Sequence, residues 1–311
     1  MGPRTSLSLT LRRENRTSLF FVAPQFLLYL TFILLPLLVS IPLAFTDLVG
    51  FTSTKAQFVG IRNFISIFTD PGVMQYIWPT VLRTFIFMAC NYLTVFIFGL
   101  SFALMMYELS TRVQKSYFVI IYLPYIISGL GAGMFIELLF ARDTGSLNLL
   151  LELLHIIPQP INLKSSSASL FALVAFVGWR YAGYNMAIFL SGLLTIPVDT
   201  IDAAKMDGVS YLQRLRHIYF PQIIPSIAIA TISCLVGSFG IFDEPVGFGA
   251  LYGNEQARLF SITLYRMGLG TGGTYGIGML AEGVASSIVV FTPLIIIALL
   301  IFRWQKRRQV T

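Results

Sequence analysis

An all-α polytopic membrane protein with six transmembrane helices is the fold class this sequence predicts, and two observations carry the prediction. The 311 residues are 56% hydrophobic and only 11% charged, with a mean hydropathy of +0.78, whereas a soluble domain carries about a quarter charged residues. Six apolar runs can also be marked along the chain, each longer than the roughly 20 residues that cross a hydrocarbon core. In lipid the backbone has to satisfy its own hydrogen bonds, so such runs are read as helices.

The first run, 19–46, holds Pro24, Pro36 and Pro42 and should be kinked. Arg12, Arg13 and Arg16 precede it, but it is too long for the apolar core of a cleavable leader and reads as an uncleaved first span. The second run covers 79–107, the third 117–140, the fourth 168–195, the fifth 221–243 and the sixth 277–302. Tails at 1–18 and 303–311 flank one six-span domain, 19–302.

Lys and Arg set the sidedness. With the N-terminus inside, thirteen basic residues fall in short internal stretches and seven toward the outside, six in the longer external segments (47–78, 141–167 and 244–276) and Arg83 near the outer end of the second run. The bias places both termini in the cytoplasm, and an even number of spans agrees. The formal charge of +7 is spread among short segments between apolar runs, which argues against a nucleic-acid surface. Cys90 and Cys234 each lie inside an apolar run, suit neither a disulfide framework nor a metal site, and read as packing residues. Nothing resembles a catalytic constellation: His155 is external and His217 internal.

The segment 196–220, between the fourth and fifth spans, mixes charges with small residues. Asp199 and Asp202 favour the positive end of a short helix, Ala203 and Ala204 make it slim, and Gly208 permits a sharp turn. A second amphipathic piece follows, with Tyr211, Leu212, Leu215 and Ile218 on one side and Arg214 and Arg216 elsewhere, before Pro221 opens the next span. The residues alone leave open whether this is a docking element or a connector lying at the headgroups.

Asp202-Ala203-Ala204, three residues, Gly208, nine residues, Ile218, one residue and Phe220-Pro221 resembles the EAA loop of bacterial ATP-binding-cassette importers, Glu-Ala-Ala-x3-Gly-x9-Ile-x-Leu-Pro. Asp stands for the family Glu and Phe for its Leu. The likeness extends to Ala44-Phe45-Thr46-Asp47, to Phe58-Val59-Gly60 with Asn63-Phe64, to Gly145-x-Leu147-Asn148 and to Gly237–Asp243. Together these are similar to the permeases of the maltose and glycerol-phosphate class. The resemblance implies a type I importer fold with a coupling helix that seats on a cytoplasmic ATPase through Asp202, Ala203, Ala204, Gly208, Ile218 and Pro221. It also implies a second permease, two ATPase subunits, an extracytoplasmic solute-binding protein, a carbohydrate substrate and a bacterial inner membrane. The chain has no Gly-x4-Gly-Lys-Ser/Thr loop, so ATP and Mg are expected on the partner ATPase and no cofactor on this chain.

Charges inside spans cost about 2.5–3.5 kcal/mol each and usually face a cavity or a partner. Arg180, Tyr181 and Tyr184 of the fourth span and Phe239, Asp243 and Glu244 of the fifth are the candidate substrate path, by analogy with the aromatic and polar segments of family permeases. The other reading of Arg180 is an ion pair to Asp243 or Glu244 that fastens two helices. Arg180 also admits an anionic sugar or sugar phosphate beside a neutral oligosaccharide. Glu282, in the sixth span, supplies the alternative of an ion-coupled secondary transporter. Gly129-x-Gly131-x-Gly133 is expected to allow close helix packing rather than to bind phosphate.

Overall fold

The protein was analysed as a computed structural model, which describes residues 20–50, 56–162, 168–269 and 276–310, with side chains to 305. The basic residues of 1–18 and the serine run 165–167 therefore lie outside the described residues. Helices α1 (Phe20–Phe45), α2 (Arg62–Thr69), α3 (Pro71–Tyr107), α4 (Thr111–Ile126), α5 (Gly129–Leu139) and α6 (Ser146–Leu153) form the first half. Then come α7 (Ala168–Leu193), α8 (Val198–Met206), α9 (Tyr211–Gln222), α10 (Ile224–Gly240), α11 (Asp243–Gly247), α12 (Phe260–Gly268) and α13 (Leu280–Val310).

Helix α1 answers its prolines without breaking. Pro36 has no N–H to give the turn before it, and the chain widens there into a π turn, Leu30–Leu34, with the Leu35 amide donating to the Leu30 carbonyl. Around Pro42 it tightens into a 3-10 turn, Ile41–Phe45. Most of α1 stands clear of the bundle, with Phe20 and Phe21 each 76% exposed; an apolar surface of that kind is lipid-facing or meets another chain. Its end is fixed by Asn63 at the start of α2, whose amide donates to the Ala44 and Thr46 carbonyls at 2.9 and 2.6 Å.

The second span begins earlier than the hydropathy suggests. Asp70 caps α3 by accepting from the Gly72 amide at 2.8 Å, Pro71 sits at its first position, and Pro79 lies inside the helix rather than at its start. The third span is not one helix. It breaks between Ile126 and Gly129, and α4 and α5 diverge by 86°. Ser128 caps α5 through the Gly131 amide. The glycines behave as expected: a Cβ on Gly133 would stand 2.8 Å from the Gly247 Cα, so α5 and α11 touch backbone to backbone.

Helix α7 is the centre of the bundle, and its interface with α3 is the most extensive in the molecule. It also meets α4 closely; a Cβ on Gly183 would lie 2.9 Å from both the Ile121 carbonyl carbon and the Tyr122 Cα. Helix α10 ends at Gly240, so Asp243 and Glu244 belong to the separate short helix α11 and not to the fifth span. Three apolar clusters result. Phe87, Leu173, Val177 and Phe248 form one, Phe189, Leu193, Ile201 and Tyr219 a second, and Ile77, Phe239, Phe260 and Val290 a third. In the half of α3 away from the 196–220 loop, Arg83 donates to the Glu255 and Arg258 carbonyls and Thr84 accepts from the Phe260 amide at 2.9 Å.

Candidate functional site

The candidate functional residues gather in two regions. One is the loop between α7 and α10, where α8 turns 77° away from α7 and α9 turns back 66° into α10. Ile201 and Ala204 are buried against the bundle, while Asp202 and Ala203 face out. The alanines therefore divide the work: Ala204 lets α8 lie close to its own chain and Ala203 presents a smooth outer face. Gly208 has φ +73 and nothing within 4 Å of where a Cβ would stand. The Val209 amide donates to the Ala204 carbonyl and the Gly208 amide to that of Lys205, which closes α8 as a left-handed glycine cap does. Ser210 and Gln213 then form a reciprocal capping box that starts α9.

The apolar side of α9 is divided between two surroundings. Leu215 and Ile218 pack into the bundle, while Leu212 is 72% exposed; Met206, at the end of α8, is 88% exposed. Ile218 thus anchors the loop from within, and Pro221 is exposed in its last turn. The Asp202–Lys205 pair at 3.9 Å is exposed and contributes little. Tyr219 is buried, and its hydroxyl donates to Glu108 Oε1 at 3.1 Å, tying the loop to the end of α3. Burial, with the Glu108 carboxylate adding to it, pushes this phenol up to about 12, so it remains a donor throughout the physiological range.

The second region is a cleft between α3, α7 and α10 that encloses about 460 Å³, open space at its mouth included. Tyr181 and Tyr184, two of the candidate path residues, line it. Tyr184 stacks on Tyr125 with ring centres 4.8 Å apart. The amides of Asn91 and Asn185 also line it, with Ser233, Cys234 and Ser238 opposite. Both asparagines are nine-tenths buried, and the side-chain oxygen of each has no partner. Asn185 donates to the Tyr181 carbonyl at 3.0 Å, and Asn91 leans on the Cys234 sulfur at 3.7 Å. An unfilled buried acceptor costs about 1–3 kcal/mol, which a donor entering the cleft would recover.

Sequence reasoning missed these amides because it followed charge; single asparagines inside apolar runs were the available sign. Phe239 does not belong to the cleft. One residue beyond Ser238, it is turned to the other side of α10 and packs with Phe85 and Phe291 in the third cluster. Cys234 is a lining residue and more than packing.

Arg180 forms the ion pair that was one of its two readings, and the partner is Glu244; Asp243 is exposed in the first turn of α11. Both members of the pair are buried, at 8% and 4% side-chain exposure. Arg180 also donates from Nε and Nη2 to the Ile127 carbonyl, at 3.2 and 2.6 Å, and reaches the Tyr125 carbonyl at 3.4 Å. It therefore caps the end of α4, where the helix dipole is negative. A Cβ on Gly129 would lie 3.1 Å from Glu244 Oε2, so the carboxylate sits at the opposite, positive end of α5. One ion pair bridges the two ends left by the broken span. Glu282 is in the first turn of α13, an ordinary place for an acid.

A helical membrane bundle with a cleft of mainly apolar and aromatic walls that holds two buried amides, and with a surface loop joining two of those walls, has the architecture of a polytopic permease. The chain belongs to the family of binding-protein-dependent transport system inner membrane components, whose model matches residues 96–311. It is 24% identical over 290 residues to the probable starch degradation products transport system permease protein AmyD of Thermoanaerobacterium thermosulfurigenes, covering 92% of this chain and 93% of that one. The lactose transport system permease protein LacF of Rhizobium radiobacter is 28% identical over 84% of this chain and 85% of its own length. A crystal structure of a bacterial transporter that imports the acidic polysaccharide alginate superposes with a TM-score of 0.75 over 97% of this chain and 99% of that one; at 20% identity the likeness is one of fold. The ion-coupled alternative has no support among these relatives.

Proposed function

We propose that this chain is one permease subunit of an ATP-binding-cassette importer for a carbohydrate and forms half of its translocation path. The observation that carries the proposal is the cleft: its walls include α7 and α10, the two helices joined by the 196–220 loop. Aromatic faces of Tyr181 and Tyr184 suit the apolar faces of a sugar ring, and the free Asn91 and Asn185 oxygens suit its hydroxyls. The relatives' names, starch products and lactose among them, agree with that substrate class.

In this reading both termini face the cytoplasm, and Asp202, Ala203, Ala204 and Gly208 with the exposed Met206 and Leu212 seat on a partner ATPase that holds ATP and Mg. A second permease completes the path, two ATPase subunits drive it, and an extracytoplasmic binding protein delivers the sugar. Closure of the ATPases moves α8 and α9 as a body, and α7 and α10 move with them to turn the cleft from one face to the other.

Uptake measured on Tyr184→Ala and Asn185→Ala, with assembly of the complex followed in parallel, tests the path. Each variant is expected to assemble and to raise the half-saturating sugar concentration. Normal uptake at unchanged affinity in both would remove the cleft from the path.

A further inference from the structure

We infer that Glu244 sets the charge selectivity of the cleft: by cancelling Arg180 it leaves a site that takes neutral, hydroxyl-bearing sugars and rejects acidic ones. The inference rests on the cleft being the sugar path. Among the described residues no Asp, Glu, Lys or Arg lines the cleft. Arg180 lies behind the lining Tyr181, with its guanidinium carbon 5.1 Å from that ring's centre.

All three guanidinium nitrogens are engaged, Nη1 by the Glu244 carboxylate and the other two by the Tyr125 and Ile127 carbonyls. Four of its five N–H groups are taken up in this way, and its charge is balanced at its source. What the cleft offers instead is a pair of unfilled acceptors, the Asn91 and Asn185 oxygens. Hydroxyl groups donate to such oxygens. A carboxylate is an acceptor only, so it takes nothing from those two oxygens and is left with the Tyr184, Ser233 and Ser238 hydroxyls, among lining side chains that carry no charge to balance its own.

Glu244 does not itself line the cleft; it acts on the cleft's charge through Arg180, and its Oε1 also accepts from the hydroxyl of the lining Tyr181 at 3.5 Å. Its removal would expose the cleft to an uncompensated positive charge. A unit charge about 10 Å away at an effective dielectric constant of about 20 changes the binding of an anion about tenfold.

The test uses Cys234, which lines the cleft, in the assembled importer carrying Cys90→Ala. Alkylation of Cys234 by N-ethylmaleimide is followed with maltotriose, a neutral probe, or trigalacturonate, an acidic one, in place. Maltotriose is expected to protect Cys234 and trigalacturonate is not. In Glu244→Gln the concentration of trigalacturonate giving half protection is expected to fall about tenfold, and the double variant Arg180→Gln/Glu244→Gln is expected to return to the neutral preference. A purely structural role for Glu244 would weaken protection by both sugars alike and would not be reversed by the second substitution.

Trigalacturonate protecting the unsubstituted chain as well as maltotriose would overturn the inference and leave the path reading intact. An unchanged ratio of the two in Glu244→Gln would overturn it too. Should Glu244→Gln fail to assemble, the comparison on the unsubstituted chain decides. Protection by neither sugar in any variant would overturn the path reading beneath it.

Discussion

Gly208 offers the sharpest test of the docking loop, because its structural role is separable from packing. Its φ of +73 is in the left-handed region, and no atom stands within 4 Å of a hypothetical Cβ. A side chain there meets open space, so any effect has to come from the backbone. Holding an L-residue in that conformation costs about 1–2 kcal/mol, with Asn more tolerant and β-branched residues less. Gly208→Val is therefore expected to lower the population of the closed turn between α8 and α9 by about 5- to 30-fold, and Gly208→Asn by much less. The measurement is a titration of the solubilised permease with its partner ATPase, followed by uptake per ATP hydrolysed in liposomes. Val should weaken the ATPase association by about that factor, and Asn should stay near the parent. If Val and Asn bind the ATPase equally well, the turn does not shape the docking surface and the assignment fails.

Three further outcomes are expected. Gly183→Ala forces α7 from the α4 backbone and should destabilise the protein by about 1–3 kcal/mol, whereas Gly237→Ala, whose Cβ meets nothing within 4 Å, should not; thermal unfolding of the two side by side decides it. Tyr219→Phe removes the hydroxyl that Glu108 accepts from, and because Glu108 is exposed and returns to water the loss should be about 1 kcal/mol. Its informative readout is ATP hydrolysis without uptake, which should rise as the loop loses its tie to α3. Asn63→Ala abolishes both hydrogen bonds that hold α2 to the end of α1, and protease cleavage within 47–61 should accelerate while α3 remains protected.

Much of this molecule is written in hydropathy and spacing, and the losses have physical causes. The 196–220 loop was legible because charge, small residues and Gly208 each dictate a local conformation, and α8, the left-handed cap and α9 follow them. Asn63 and Asn148 sit in recognisable motifs, and both turn out to bind backbone carbonyls; the Asn148 amide donates to those of Arg142 and Ile161 at 3.0 and 2.9 Å. The break in the third span was hidden because apolar residues continue across it. Ser128 is a helix start written in the middle of a hydrophobic run, and Arg180 and Glu244, which bridge the break, are distant in sequence. Hydropathy cannot register a bend. The early start of α3 was available in Asp70-Pro71, a cap followed by a first-turn proline, but lay outside the apolar window. The cleft was half legible: aromatic rings and charges announce themselves, whereas the role of Asn91 and Asn185 depends on where a neighbouring helix passes.

The length of α3 has a mechanical consequence. At 37 residues it is a rod of about 55 Å, longer than the hydrocarbon layer, and it is held just past one end and again about a third of the way along from the other. Tyr219 grips Glu108 just past one end, and Arg83 and Thr84 hold the 255–260 segment toward the other. A hydrogen-bonded rod clamped in this way transmits a push with little slack. If the loop is driven as proposed, a displacement imposed there reaches the 255–260 segment in the same stroke.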